Sequence, residues 1–138
     1  MPTPFSQYQN IQVTTSNPEK ILIMLYDGAI NFTKIAIDRL AKGDRAGKGM
    51  YISKAHAIVA ELMGTLNHEV GGEIAGQLDR LYRYLIDELI AANINNNPGN
   101  LENAVRIMTT MRGTWVEAVE IVKKERENGE VRLMSRVG

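Results

Sequence analysis

The stretch 17-NPEKILIMLYDGAI-30 decides how this chain folds. A residue before proline is pushed out of the α region, so Asn17 reads as an N-cap and Pro18 as the first helical position. A Ser16 cap paired with Glu19 is the competing register, but it would require a helical Asn17 next to Pro18. From that start Leu22, Leu25, Tyr26, Ala29, Thr33, Ala36 and Leu40 recur at spacings of three and four. The spacing predicts an amphipathic helix ending near Lys42, with Gly43 as its C-terminal glycine. Six successive apolar residues, Ile21 to Tyr26, carry more apolar surface than one face of a bundle helix can use.

Three more helices follow. The second is weakened at its start by Gly47 and Gly49, each costing about 1 kcal/mol relative to alanine, so its secure part is expected over Met50 to Leu66. Its inward residues are Ala55, Ile58, Val59, Leu62 and Leu66. Asn67 to Gly72 reads as a turn. The third helix carries the most regular stripe, Ile74, Leu78, Leu81, Tyr82, Leu85, Leu89 and Ala92, and Asn93 to Asn100, with Pro98-Gly99, breaks it. The fourth is expected from Leu101, capped by Asn100, to Glu125, burying Leu101, Ala104, Val105, Met108, Met111, Trp115, Ala118 and Val122, with Asn128-Gly129 ending it.

Long amphipathic helices joined by short loops pack as antiparallel neighbours. The fold class is therefore all-α, an antiparallel up-down four-helix bundle. The expected organisation is an N-terminal segment over 1–16, the bundle over 17–127 and a flexible C-terminal tail over 128–138. Phe5, Tyr8, Ile11 and Val13 give the first segment an apolar series that suits packing as a cap on the bundle; a tail with incidental apolar residues is the other reading.

Composition narrows the functional classes. A chain of 138 residues is one domain's worth and can bury roughly two thirds of its unfolded surface. Lys plus Arg and Asp plus Glu both number 16, so no overall charge favours nucleic acid. With no cysteine, disulfides, thiolate metal sites and cysteine nucleophiles are out, which fits a reducing compartment. The N-terminus has neither a basic nor an apolar signal region, and no apolar run approaches the ~20 residues that cross a bilayer. The chain reads as cytoplasmic, without membrane insertion. Asn31-Phe32-Thr33 matches a glycosylation sequon, but it sits inside a helical pattern.

Motifs for chemistry fail on inspection. Gly43 to Gly49 is one residue short of a phosphate-binding loop between its outer glycines, and it lacks a Ser or Thr after Lys48 and a preceding strand. A metal site in a bundle needs Glu-x-x-His pairs on facing helices. Neither His56 nor His68 has a Glu three residues before it, so no metal and no cofactor is expected. The chain is not expected to be an enzyme. Lys54-Ala55-His56 resembles the core of histidine phosphotransfer domains, but these continue with Leu-Lys-Gly where this chain has Ala57-Ile58-Val59. A phosphotransfer role for His56 is the alternative functional reading.

On a helical wheel the first helix keeps Ile21, Met24, Gly28 and Ile35 together on one flank of its core stripe and Ile23, Ile30 and Ile37 on the other. Part of this surface needs cover from elsewhere: a partner, residues 1 to 15, or a second copy of the domain. Gly28, costly in mid-helix, would let another backbone or a large side chain approach closely.

The stretch from Tyr8 to Ile30, YQNIQVTTSNPEKILIMLYDGAI, resembles the signature of the flagellin-specific secretion chaperones, the FliS family. Its marks are an N-terminal Tyr, Val-x-Thr, Pro-Glu-Lys and Met-Leu-Tyr-Asp-Gly in succession. Ile52-Ser53-Lys54-Ala55, Gly71-Gly72-Glu73-Ile74-Ala75, Leu81-Tyr82, Ala92-Asn93, Met111-Arg112 and Thr114-Trp115 agree in order. Asn17 stands where Ser or Thr is common, and His56 where Gln is usual. The resemblance implies a cytosolic helical bundle that binds the C-terminal, polymerisation-prone region of flagellin and helps deliver it to the export apparatus. Other flagellar export or regulatory proteins are further candidate partners, and a homodimer is a candidate state of the free protein. On this reading Ile21, Met24, Gly28 and Ile35 line the groove, with Val59, Met63 and Ile86 as further candidates. Phe5, Tyr8, Ile11 and Val13 cover the groove when it is empty. Tyr26 and Asp27 are assigned to holding the bundle together.

Overall fold

The computed structural model describes residues 17–137, with side chains through Glu130. The elements are α1 (Pro18–Ala41), α2 (Arg45–Gly64), α3 (His68–Asn95) and α4 (Pro98–Val137), with no strand among the described residues. α1 packs against α2 and α4, and α3 packs against the same two. Short connections at 42–44, 65–67 and 96–97 make sequential helices antiparallel. The architecture is the expected all-α four-helix bundle, with α1 and α3 facing each other across the core. The expected cap residues Phe5, Tyr8, Ile11 and Val13 lie outside the described residues.

α1 starts as its sequence dictates. The Asn17 side chain accepts the Lys20 backbone N–H at 3.2 Å, Pro18 occupies the first turn, and Gly43 sits at φ 76° just past the end. Leu25, Tyr26, Ala29, Thr33 and Ala36 are buried along one stripe, and Ile30 joins them. The Thr33 hydroxyl of that stripe donates to the Ala29 carbonyl at 2.8 Å, which satisfies it within the helix.

α2 starts at Arg45, so the weak first turns over Gly47 and Gly49 are helical ahead of the secure part from Met50, and it ends at Gly64, before Leu66. Two interactions offset its glycines. The Asp44 side chain caps the helix through Gly47 N–H at 2.9 Å. Lys48, only 5% exposed, donates its Nζ to the Asn93 carbonyl at 3.0 Å and to Asn96 Oδ1 at 2.7 Å. Ile52, Ala55, Ile58, Val59 and Leu62 fill the core.

α3 replaces the expected turn at Asn67 to Gly72 with one helical turn followed by a sharp irregularity. The Asn67 side chain accepts the backbone N–H groups of Glu69 and Val70, both at 3.1 Å. The chain then breaks helical geometry at Gly72, φ 50° and ψ −121°, a conformation open in practice to glycine alone. Ala75, Tyr82, Leu85, Leu89 and Ala92 are buried. Ile74 and Leu81, expected in the core, are 67% and 40% exposed, because they stand on the flank of the stripe where α3 and α4 leave a gap.

α4 starts at Pro98 and not at Leu101. Asn97, not Asn100, makes the capping contact, accepting the Gly99 N–H at 2.9 Å. The helix then runs through Asn128-Gly129 to Val137, past its expected end. The surrounding Lys, Glu and Arg residues are strong helix formers, and one internal glycine costs only about 1 kcal/mol. Leu101, Ala104, Met108 and Met111 are buried, whereas Val122, expected inward, is 42% exposed. Forty residues at ~1.5 Å rise outrun the twenty-four of α1, and the residues from Ile121 to Glu130 are all exposed.

Candidate functional site

At the centre of the bundle three aromatic side chains share their polar atoms. The Tyr26 and Tyr82 hydroxyls lie 2.6 Å apart, joining the two helices that face each other across the core. The Trp115 indole N–H of α4 donates to the Tyr26 hydroxyl at 3.0 Å. Burial pushes both phenols above the ordinary tyrosine range, and the hydrogen bonds pull Tyr26 partly back. Both hydroxyls are therefore neutral at physiological pH.

Around this centre the surface opens. A concavity of about 350 Å³ is lined by Leu22, Leu62, Leu66, Ile74, Leu78 and Tyr82, among others, with Trp115 on its wall. A second, about 510 Å³, lies between α3 and α4 against Ile74, Leu78, Leu81, Met111, Trp115 and Ala118. Ile74, Leu78 and Trp115 belong to both, so the two are compartments of one apolar trough. Val70, 85% exposed, stands on its rim beside the Gly72 break. Among the described residues the trough is a concave apolar surface shared by two adjoining compartments, the kind of feature that marks a candidate binding groove.

The residues proposed from the sequence fall in three groups. Met24 and Gly28 surround a shallow concavity with Asp27 and Asn31 on the outer side of α1. Ile21 and Ile35 are half-buried on the same helix. Met63 and Ile86 are half-buried and packed against the core. Val59 has no exposure at all, so it is a core residue and not a wall of any groove; its place between Ala55 and Leu62 on the inward stripe accounts for this. Tyr26 and Asp27 both join α1 to α4: Asp27 accepts from the Arg112 guanidinium, and Tyr26 accepts from Trp115.

The trough itself was missed. Its signal was present in Trp115 and in the two flank positions Ile74 and Leu81, but a stripe read on one helix does not tell whether a neighbour closes over its edge.

His56 is half-buried beside Ile52, Ser53 and Ile90 in a concavity of about 280 Å³ between α2 and α3. The nearest lysine in sequence, Lys54, turns away, its Nζ lying 5.5 Å from the Phe32 ring centroid and 5.1 Å from that of Tyr51. The residues lining that concavity include no lysine or arginine. Among the described residues no cluster of His, Asp or Glu suits a metal ion, and no helix is long and apolar enough to cross a membrane.

Fold and trough together define the class, an antiparallel helical-bundle protein with an open apolar trough. The family model described as Flagellar protein FliS matches residues 1–122, and this chain belongs to that family. Among relatives, the flagellar secretion chaperone FliS of Bacillus subtilis is 31% identical over 89% of this chain and 91% of its own length. FliSB of Pseudomonas aeruginosa is 33% identical over 79% of this chain and 90% of its own. FliS of Salmonella typhimurium is 35% identical over 75% and 77%.

Proposed function

We propose that this protein is a cytosolic export chaperone that binds the C-terminal region of unassembled flagellin, prevents its premature polymerisation and aids its delivery to the flagellar type III export apparatus. The observation that carries this reading is the apolar trough along α3 and α4, in a member of a family whose relatives are named flagellar secretion chaperones. Recognition is by helix in groove: a disordered guest forms amphipathic helices whose apolar faces lie against the trough. Ordering such a guest consumes about 2–5 kcal/mol or more of the gross interaction energy. A long apolar contact is therefore needed, and shared walls joining two compartments supply one. The work is binding and release, without catalysis.

The arc of α1 with Ile21, Met24, Gly28 and Ile35 serves as a second seat for the guest, with Met63 and Ile86 as supporting contacts. Residues 1–16 act as the cap, Phe5, Tyr8, Ile11 and Val13 covering apolar surface until flagellin displaces them. Supporting this, the segment leads directly into α1, whose Leu22 lines the first compartment. Pairing of the free protein with a second copy over the same surface is the alternative to this cap, and other flagellar export or regulatory proteins are further candidate partners.

Co-purification tests the reading. The chain should carry flagellin with it from cells and lose it when the flagellin C-terminus is removed; retention of the truncated flagellin would overturn the assignment. Deleting residues 1 to 15 should leave the bundle folded and raise its affinity for flagellin.

A further inference from the structure

The polar centre of the bundle holds one more proton donor than it has hydrogen bonds. Trp115 N–H, Tyr26 O–H and Tyr82 O–H are three donors, and two contacts join them, Trp115 to Tyr26 and Tyr26 to Tyr82. An indole N–H can only donate, so Tyr26 oxygen accepts from it. A hydroxyl that already accepts is the stronger donor, because bonds in a chain polarise one another. Either hydroxyl can donate in the Tyr26–Tyr82 contact; of the two, Tyr82 lines the trough, so an acceptor arriving there would select the order Trp115 to Tyr26 to Tyr82 and take the Tyr82 proton.

Tyr82 is 98% buried by its 2% exposure, yet it lines the first compartment of the trough. The other polar side chains there are engaged: Thr65 Oγ1 donates to the Leu62 carbonyl at 2.7 Å, and Asn67 caps α3. Tyr82 is thus the buried polar side chain of that compartment with a proton to give, the Asn67 amide N–H groups lying at its exposed rim.

We propose that the Tyr82 hydroxyl reads the guest, donating a hydrogen bond to one side-chain oxygen, amide or hydroxyl, set in the apolar face of an amphipathic helix. The inference rests on the docking reading above and deepens it: apolar contact supplies affinity, and this donor fixes register. A helix slipped along the trough would leave this bond unmade, a loss of up to about tenfold in binding. Trp115 and Tyr26 act as positioning residues that polarise and orient the hydroxyl.

The test titrates the cognate flagellin C-terminal segment into the full chain by calorimetry. A panel of segments carries each Asn, Gln, Ser and Thr replaced singly by Ala. One replacement should weaken binding to the wild-type chain about tenfold and have little effect on Tyr82→Phe, whose affinity for the unaltered segment is already reduced. Equal weakening of every segment by Tyr82→Phe would mark a merely structural role and overturn the inference. So would a wild-type chain indifferent to every replacement, a result that needs no folded variant. In either case binding of the unaltered segment leaves the docking reading standing. Failure of that segment to bind the wild-type chain overturns both.

Discussion

Lys48 on the first turns of α2 donates to the Asn96 side chain at 2.7 Å and to the Asn93 carbonyl at 3.0 Å. Asn96 is the left-handed residue, φ 52°, at which α3 ends, so one ammonium group closes a helix terminus on a neighbouring helix. A cation there also complements the negative end of the α3 dipole.

Replacing Lys48 by Met keeps the aliphatic stem and removes the donor. The Asn93 carbonyl is then left without that partner inside a part-buried contact, and stability should fall by about 1.5–3 kcal/mol, the range for a hydrogen bond to a charged group. Urea denaturation with an unchanged slope and a lower midpoint is the expected signature. A midpoint identical to wild type would mean that the contact contributes nothing.

Alkaline pH should expose the tyrosine pair. Both phenols are raised above their ordinary value of 10.0 by burial. Below that value both are neutral in either state, and their contribution is fully present. Above it the unfolded chain releases these protons while the folded chain keeps them, so stability falls as pH rises, by about 1 kcal/mol per unit for each phenol. A Tyr26→Phe, Tyr82→Phe double variant should show a shallower alkaline loss than wild type in melting temperature measured between pH 9 and about pH 11.

Three exposed glycines separate backbone strain from helix propensity. No heavy atom lies within 4 Å of a Cβ built at Gly72, Gly113 or Gly129, so packing does not enter. Gly72 sits at φ 50°, and alanine there should destabilise by about 1–3 kcal/mol or force α3 to straighten. Gly113 and Gly129 lie in the body of α4, and alanine at either should raise helicity and stabilise by up to about 1 kcal/mol. A loss on Gly129→Ala, read by thermal melting, would argue against a continuous helix there.

These contrasts also show where the sequence was readable. The start of α1 could be derived because cap chemistry is local: Asn17, Pro18 and the stripe from Leu25 to Ala36 need no knowledge of neighbours. The interior face of α2, and that of α3 from Tyr82 to Ala92, followed from periodicity for the same reason. Contacts between distant residues were not legible: the first turns of α2 are held by the local Asp44 cap and also by Lys48, which meets residues some 45–48 positions away. Exposure of Ile74 and Leu81 depends on the spacing of α3 from α4, which no single-helix pattern encodes. The groove was accordingly sought on α1, where the apolar surplus was visible, although much of that surplus is spent on packing: Ile30 is buried and Ile21 rests on the core.

The two candidate seats for flagellin can be separated by paired substitutions. Ile74 is 67% exposed and lines both compartments of the trough, so Ile74→Glu removes little native packing while placing a carboxylate where an apolar helix should lie. Binding should weaken at least tenfold, the scale of a central contact, about 1.4 kcal/mol or more, with a melting temperature close to wild type. Leu81→Glu tests the second compartment alone, since Leu81 lines only that one, and should cost less than Ile74→Glu. Gly28→Trp fills the shallow concavity beside Met24, Asp27 and Asn31 and should weaken binding by a few-fold at most if α1 is a secondary seat, about 0.5–1 kcal/mol. Folded Ile74→Glu that binds normally, beside a Gly28→Trp that does not, would reverse the order and return the principal groove to α1.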